Sequence, residues 1–175
     1  MIKKVEVVSL NVGRLFYLYG FGLWMTIITL NNINDPGTNA FYINNMLEMN
    51  QFDLAKSDIG KGLLWRSLKI PYLANVLLWG VVIVELIIDF FMWRAFFRVL
   101  KDILRGRAIS ADTVSKVNVA LCWMLGLFIC FLTGGIWFCY WIYMGAFQMV
   151  HFTGVIMCML GFIIFNMKGG AGLEN

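Results

Sequence analysis

The chain has 175 residues, 61% of them hydrophobic and only 14% charged, with a formal net charge of +4. That balance excludes an ordinary soluble domain and points to a lipid bilayer as the surrounding medium. The length is sufficient for one membrane bundle, and the basic excess reads first as a topology signal because the lysines and arginines are clustered.

A spanning helix needs about 20 mostly apolar residues. Four stretches qualify, near 10–30, 70–93, 117–139 and 145–167. Between them lie an outer polar loop, 31–69, a basic inner loop, 94–116, and a short aromatic turn. The expected fold is therefore all-α: a polytopic membrane protein, a four-transmembrane-helix bundle with a partly helical outer loop, in a single domain covering 1–168. Residues 169–175 form a Gly-rich tail whose end, Gly172-Leu173-Glu174-Asn175, reads as an engineered remnant.

In the first span only 16 uncharged residues separate Arg14 from Asn31. That is about 24 Å of helix against a hydrocarbon core about 30 Å thick. Arg14 is thereby drawn into the membrane, its guanidinium reaching for the interface or an acid. No small-residue cleavage pattern follows Leu30, so the first helix reads as retained.

The outer loop opens with Asn31, Asn32, Asn34, Asp35, Pro36 and Gly37, turn formers that end the first helix. Thr38 or Asn39 then caps a short helix to about Met49, whose Phe41, Ile43, Met46 and Leu47 suit the membrane interface. Gly60 and Gly62 break the chain before Leu63-Leu64-Trp65-Arg66. Trp65 fits the headgroup level, and with Arg66 it is a candidate lipid or partner contact.

Glu85 and Asp89 lie inside the second apolar run, four residues apart and hence on one helix face. An ionised acid in hydrocarbon costs roughly 2.5–3.5 kcal/mol, so this face requires protein, water or a cation. Arg14, Arg94 and Arg98 are the candidate ion-pair partners, with an Arg14–Asp89 bridge sterically reasonable. Asp89 lies closer to the basic end. Glu85, a turn deeper, is the better candidate for a proton, cation or partner-subunit site.

The second helix is expected to continue to about Leu104 and break at Gly106, and the third to begin near Ser110 with Asp112 in its first turn. Lys3, Lys4, Arg14, Arg94, Arg98, Lys101, Arg105, Arg107, Lys116 and Lys168 make ten of the 14 basic residues. The remaining Lys56, Lys61, Arg66 and Lys69 stand in the outer loop among Glu48, Asp53 and Asp58. Both chain ends should then be cytoplasmic. Arg98, Lys101, Arg105 and Arg107 are also candidate contacts for anionic lipid or a cytosolic partner.

On the fourth helix His151 shares a face with Gln148, Gly154, Cys158 and Gly161, small residues that permit close helix approach. Asn75 lies at a similar depth, giving an outer polar cluster of His151, Gln148 and Asn75 in which the histidine bonds one of the two amides. Helix rise leaves roughly 13 Å between this cluster and Glu85, so a proton relay within one chain is incomplete. The four cysteines contain no CxxC pair and read as small apolar fillers.

His151 is the only histidine, which excludes a bis-histidine haem within one chain, and no His/Cys set has zinc spacing. No cofactor or metal is expected. No Ser-His-Asp arrangement, Gly-rich phosphate loop or aromatic-basic nucleic-acid surface can be assembled. An enzyme is therefore not the favoured reading.

Leu30-Asn31-Asn32-Ile33-Asn34-Asp35, then Gly37, Asn39, Phe41, Met46-Leu47 and Met49, then Leu64-Trp65-Arg66 before an acid-bearing span, and finally Gly134-Gly135-Ile136-Trp137-Phe138, resemble a bacterial family of predicted small integral membrane proteins of unknown function. The chain departs from that pattern at Ile136, where the family often places an acid. The resemblance implies four helices in a bacterial inner membrane and supplies no activity. The expected role is a non-catalytic accessory or interaction subunit of a membrane complex, or a homo-oligomer. The alternative is a proton- or cation-coupled transporter or channel subunit using the acidic face. The expected partners are the lipid bilayer and a membrane protein or second copy.

Overall fold

The computed structural model describes residues 2–54 and 58–167. Lys56, Lys168 and the 169–175 tail lie outside the described residues. The helices are α1 (Ile2–Asn34), α2 (Pro36–Leu47), α3 (Gln51–Leu54), α4 (Leu73–Leu104), α5 (Ala111–Trp137) and α6 (Gly145–Asn166), with single 3-10 segments at Lys61–Arg66 and Tyr140–Ile142. No strand occurs among the described residues.

The four long helices close into a bundle, α1 on α4, α4 on α5, α5 on α6, with α6 returning to α1. Their register is antiparallel at each seam. A Cβ on Gly22 would meet Met92 and Trp93, while ten residues further along α1 Asn32 meets Glu85. Arg98 of α4 pairs with Asp112, and Asn118 and Asn166 exchange amide hydrogen bonds at 3.0 and 2.9 Å between α5 and α6.

Among the described residues three helices, α4, α5 and α6, are long and apolar enough to cross a membrane. Despite its 33 residues, α1 is not among them. Its apolar stretch is bounded by Arg14 at one end and Asn31 and Asn32 at the other, which dilutes any window of spanning length. One side of α1 is buried in the bundle. Leu18, Phe21 and Met25 enter one core with Ile88, Met92 and Ala95 of α4, Leu121 and Met124 of α5, and Cys158 of α6. Phe21, Trp24 and Phe128 stack in series, with centroids 5.3 and 5.9 Å apart.

The turn formers do end the first helix, and the helix restarts at once. Asp35, rather than Thr38 or Asn39, caps α2, accepting from the Thr38 amide at 3.3 Å and the Thr38 hydroxyl at 2.6 Å. Pro36 occupies the first turn, where its missing N–H costs nothing. The apolar side of α2 is not spent on the interface alone: Ala40 packs on Leu78 and Val82, and Leu47 on Ala74. As numbering rises along α2 it falls along α4, so α2 prolongs the line of α1 beside α4 after a one-residue break.

Leu47, Met49 and Phe52 then join Phe138 and Cys139 in a second core at that end. Gly60, at φ +81°, lies against the Phe52 ring where any Cβ would collide. At the opposite end α4 stops at Leu104 and the chain turns through Gly106, φ +63°. Ser110 caps α5 by accepting from the Thr113 amide at 3.1 Å.

The four cysteines are unpaired, with Cys139 and Cys158 buried. Cys122 and Cys130 are exposed on α5. The expectation of four apolar fillers is thus corrected for these two, because the helix phase that buries Leu121 and Leu127 turns their neighbours outward.

Candidate functional site

The acid face of α4 is enclosed by the end of α1. Glu85 is 2% exposed, and both its carboxylate oxygens lie 2.8 Å from the amide nitrogen of Asn32. The Asn32 carbonyl in turn accepts from the Asn39 amide of α2. One side chain therefore ties three helices together at the α1–α2 break.

One turn along α4, Asp89 accepts from the Thr29 hydroxyl at 2.8 Å and the Thr26 hydroxyl at 3.2 Å. Each threonine hydroxyl also lies within reach of its own helix carbonyl, Met25 at 3.0 Å and Gly22 at 2.9 Å. A hydroxyl carries one proton, so the acid competes with the backbone for it. Thr26 additionally accepts the Trp93 indole N–H at 2.9 Å, which fixes its oxygen against α4.

None of the expected ion-pair partners reaches this face. Arg14 donates to the Ile164 carbonyl from Nε at 3.0 Å and Nη2 at 2.9 Å, to the Met167 carbonyl at 3.2 Å and to Asn11 Oδ1 at 3.1 Å. The Arg14–Asp89 bridge is corrected accordingly. The last turn of a helix presents unpaired carbonyls and the negative end of its dipole, and α6 ends beside Arg14. Arg98 pairs with Asp112 at 3.5 Å, and Arg94 is exposed. Among the described residues no basic side chain lies within 4.0 Å of Glu85 or Asp89.

The outer cluster is also rearranged. His151 Nδ1 bonds the Tyr140 hydroxyl at 2.9 Å, replacing the expected amide partner, and its ring packs 4.7 Å from that of Phe131. Burial pushes the Tyr140 phenol up to about 12, so it keeps its proton at neutral pH. Asn75 is exposed and lies outside this contact. Gln148 stays close, its Oε1 buried without a hydrogen-bond partner and set against Gly135. Gly154, Cys158 and Gly161 are buried, as their shared face with His151 implied.

At the opposite end from Arg14, Arg66 donates to the Trp137 carbonyl at 3.3 Å and lies 5.3 and 4.7 Å from the Trp65 and Trp137 ring centres. It therefore covers the end of α5, with Trp65 72% exposed beside it. Lys101, Arg105 and Arg107 stand exposed around the α4–α5 turn.

The sequence assigns Asn32 and Asn39 only turn and cap roles, and relates none of Asn32, Asn39, Thr26, Thr29 and Trp93 to the acid face. A signal was present: Thr26, Thr29 and Asn32 recur every three residues and so line one side of α1. Asn32 was masked by its place in a run of turn formers. Chemically, carboxylates held by amide and hydroxyl donors, without a basic neighbour, serve either as helix ties or as carriers of a proton or hard cation. Among the described residues no group of three or more His, Cys, Asp or Glu side chains is placed to hold a metal.

An all-helical bundle with three helices of spanning length and apolarity among the described residues, and with Glu85 and Asp89 of one of them turned onto α1, defines an integral membrane protein. The chain belongs to the family described as "Predicted small integral membrane protein (DUF2165)", whose model matches residues 11–168. No curated protein and no solved structure matches it.

Proposed function

We propose that this is a non-catalytic, four-span protein of a bacterial inner membrane that works by association, as an accessory or interaction subunit of a membrane complex or as a homo-oligomer. The observation that carries this reading is that both intramembrane acids meet donors from α1 of the same chain. The acid face is thereby spent on holding α1 to α4, and the apolar lateral surface is what the molecule offers to other chains. Mass measurement of the natively extracted protein, with identification of its companions, tests this. A complex of defined stoichiometry is expected, and a monomer accompanied only by lipid would overturn it.

The orientation proposed is both termini cytoplasmic, with α2, α3 and the Lys61–Arg66 segment on the outer side. Its support is the gathering of Arg94, Arg98, Lys101, Arg105, Arg107 and Lys116 at the α4–α5 end. That exposed basic collar also suits anionic lipid or a cytosolic partner. A reporter fused after Lys168 should remain cytoplasmic while a tag near Asn50 is accessible in intact spheroplasts. A protected Asn50 tag would reverse the topology.

One observation favours a second reading, a proton- or cation-coupled transporter or channel subunit: neither Glu85 nor Asp89 has a basic side chain within 4.0 Å among the described residues. On this reading Glu85→Gln, which keeps the shape of the side chain, leaves a folded protein whose pH-dependent flux in liposomes is abolished. Unchanged flux in the variant would remove Glu85 from such a pathway.

A further inference from the structure

Where α6 stops, an open cavity of about 660 Å³ lies between α1 and α6, lined by Leu10, Gly13, Phe16, Tyr17 and Ile164, with Arg14 among them. The walls are apolar apart from the guanidinium, the Tyr17 hydroxyl and Ser9 at one edge, and the Tyr17 hydroxyl is already donated to the Met157 carbonyl. Gly13 leaves the space open, since a Cβ there would meet nothing within 4 Å.

Arg14 has five N–H donors. Four are engaged: two by Ile164, one by Met167 and one by Asn11. One hydrogen on Nη1 has no acceptor among the described residues. Every acceptor is neutral, and no carboxylate among the described residues forms an ion pair with Arg14. The dipole at the end of α6 offsets roughly half a charge, so a net positive charge persists beside a lipid-facing groove. Lipid fills any such groove in a bilayer, and the component that also answers a cation is a phosphodiester.

We propose that this cavity is a binding site for one anionic phospholipid, its phosphate accepting from the free Nη1–H of Arg14 and an acyl chain lying along Phe16 and Tyr17. The arrangement is one of charge-assisted recognition at a depth where an unpaired arginine otherwise draws in water. It is separate from the exposed collar of Lys101, Arg105 and Arg107, and holds under either functional reading.

The test is native mass spectrometry of the full-length protein from nanodiscs containing equal phosphatidylglycerol and phosphatidylcholine. One phosphatidylglycerol should survive delipidation, and Arg14→Gln should lower its retention roughly tenfold, the loss of one charge-assisted contact. Because Arg14 also covers the end of α6, Gly13→Leu supplies an independent variant: it fills the groove, keeps the arginine, and should also displace the lipid. Arg105→Gln should retain it. Millimolar glycerol 3-phosphate should not compete, which separates a lipid site from a simple phosphate site. Undiminished retention in Gly13→Leu, equal retention of phosphatidylcholine, displacement by glycerol 3-phosphate, or a second copy of the chain seated on this face without lipid would each overturn the proposal.

Discussion

Asn32→Leu is expected to lower the stability of the bundle by about 1–3 kcal/mol, the cost of leaving a buried polar group without its partner. Asn32 supplies both carboxylate contacts of Glu85 at 2.8 Å, and Glu85 is 2% exposed, so no solvent takes its place. Interhelical hydrogen bonds in membranes commonly contribute only about 0.6 kcal/mol, because the unfolded helices find other partners in lipid. Three features raise this one above that average: the acceptor is an acid, one amide serves both its oxygens, and the same side chain holds Asn39 of α2. Glu85→Leu should be tolerated better than Asn32→Leu, since it removes the buried acid along with its need. In the Glu85→Leu background, Asn32→Leu should add much less than it does alone. Denaturant titration of the four proteins in mixed micelles measures the cycle. Fully additive losses would show that the Asn32–Glu85 contact does not contribute.

Gly154→Leu is expected to be the most disruptive single substitution between α5 and α6. Even the first added atom has no space: a Cβ on Gly154 lies 2.5 to 2.6 Å from three ring atoms of Phe128. That ring cannot turn aside readily, being 3% exposed and stacked on Trp24 at 5.9 Å. Overpacking of this kind costs about 1–3 kcal/mol for a small addition. Gly154→Ala should therefore destabilise measurably, Gly154→Leu more, and Phe128→Leu should partly restore the alanine variant by vacating the ring edge. An alanine variant that unfolds at the wild-type denaturant concentration would mean that the seam relaxes without cost.

The Tyr140–His151 bond and the Arg66 cover on α5 show how much of the molecule depends on which chain ends meet. The Tyr140 hydroxyl lies in the short turn after α5, eleven positions before its histidine. Nothing in helical periodicity relates them, because the turn reverses the chain and cancels the register. Arg66 stands 71 positions from the carbonyl it covers. For its neighbour Trp65 the sequence predicts a headgroup depth without naming any packing partner, since amphipathic aromatics favour that level whatever they pack against.

The sequence by itself determined the medium, the helical class and the rough limits of the long helices, because a backbone in hydrocarbon must satisfy its own hydrogen bonds and apolar length measures the crossing. It also determined that α1 would end within the run from Asn31 to Gly37, though the helix carries on to Asn34, that Gly106 would end α4's overhang, and that Glu85 and Asp89 would share a face, since turn chemistry, caps and the 3.6-residue period act locally. Only the tertiary structure decided what those acids meet. An acid in a membrane specifies that a partner exists, while its identity depends on which helix lies alongside and in what register; here that helix is α1, which offers Asn32, Thr29 and Thr26. The same holds for Arg14, whose charge was legible but whose partners are the carbonyls that α6 exposes where it stops, a feature of the backbone that no residue code records.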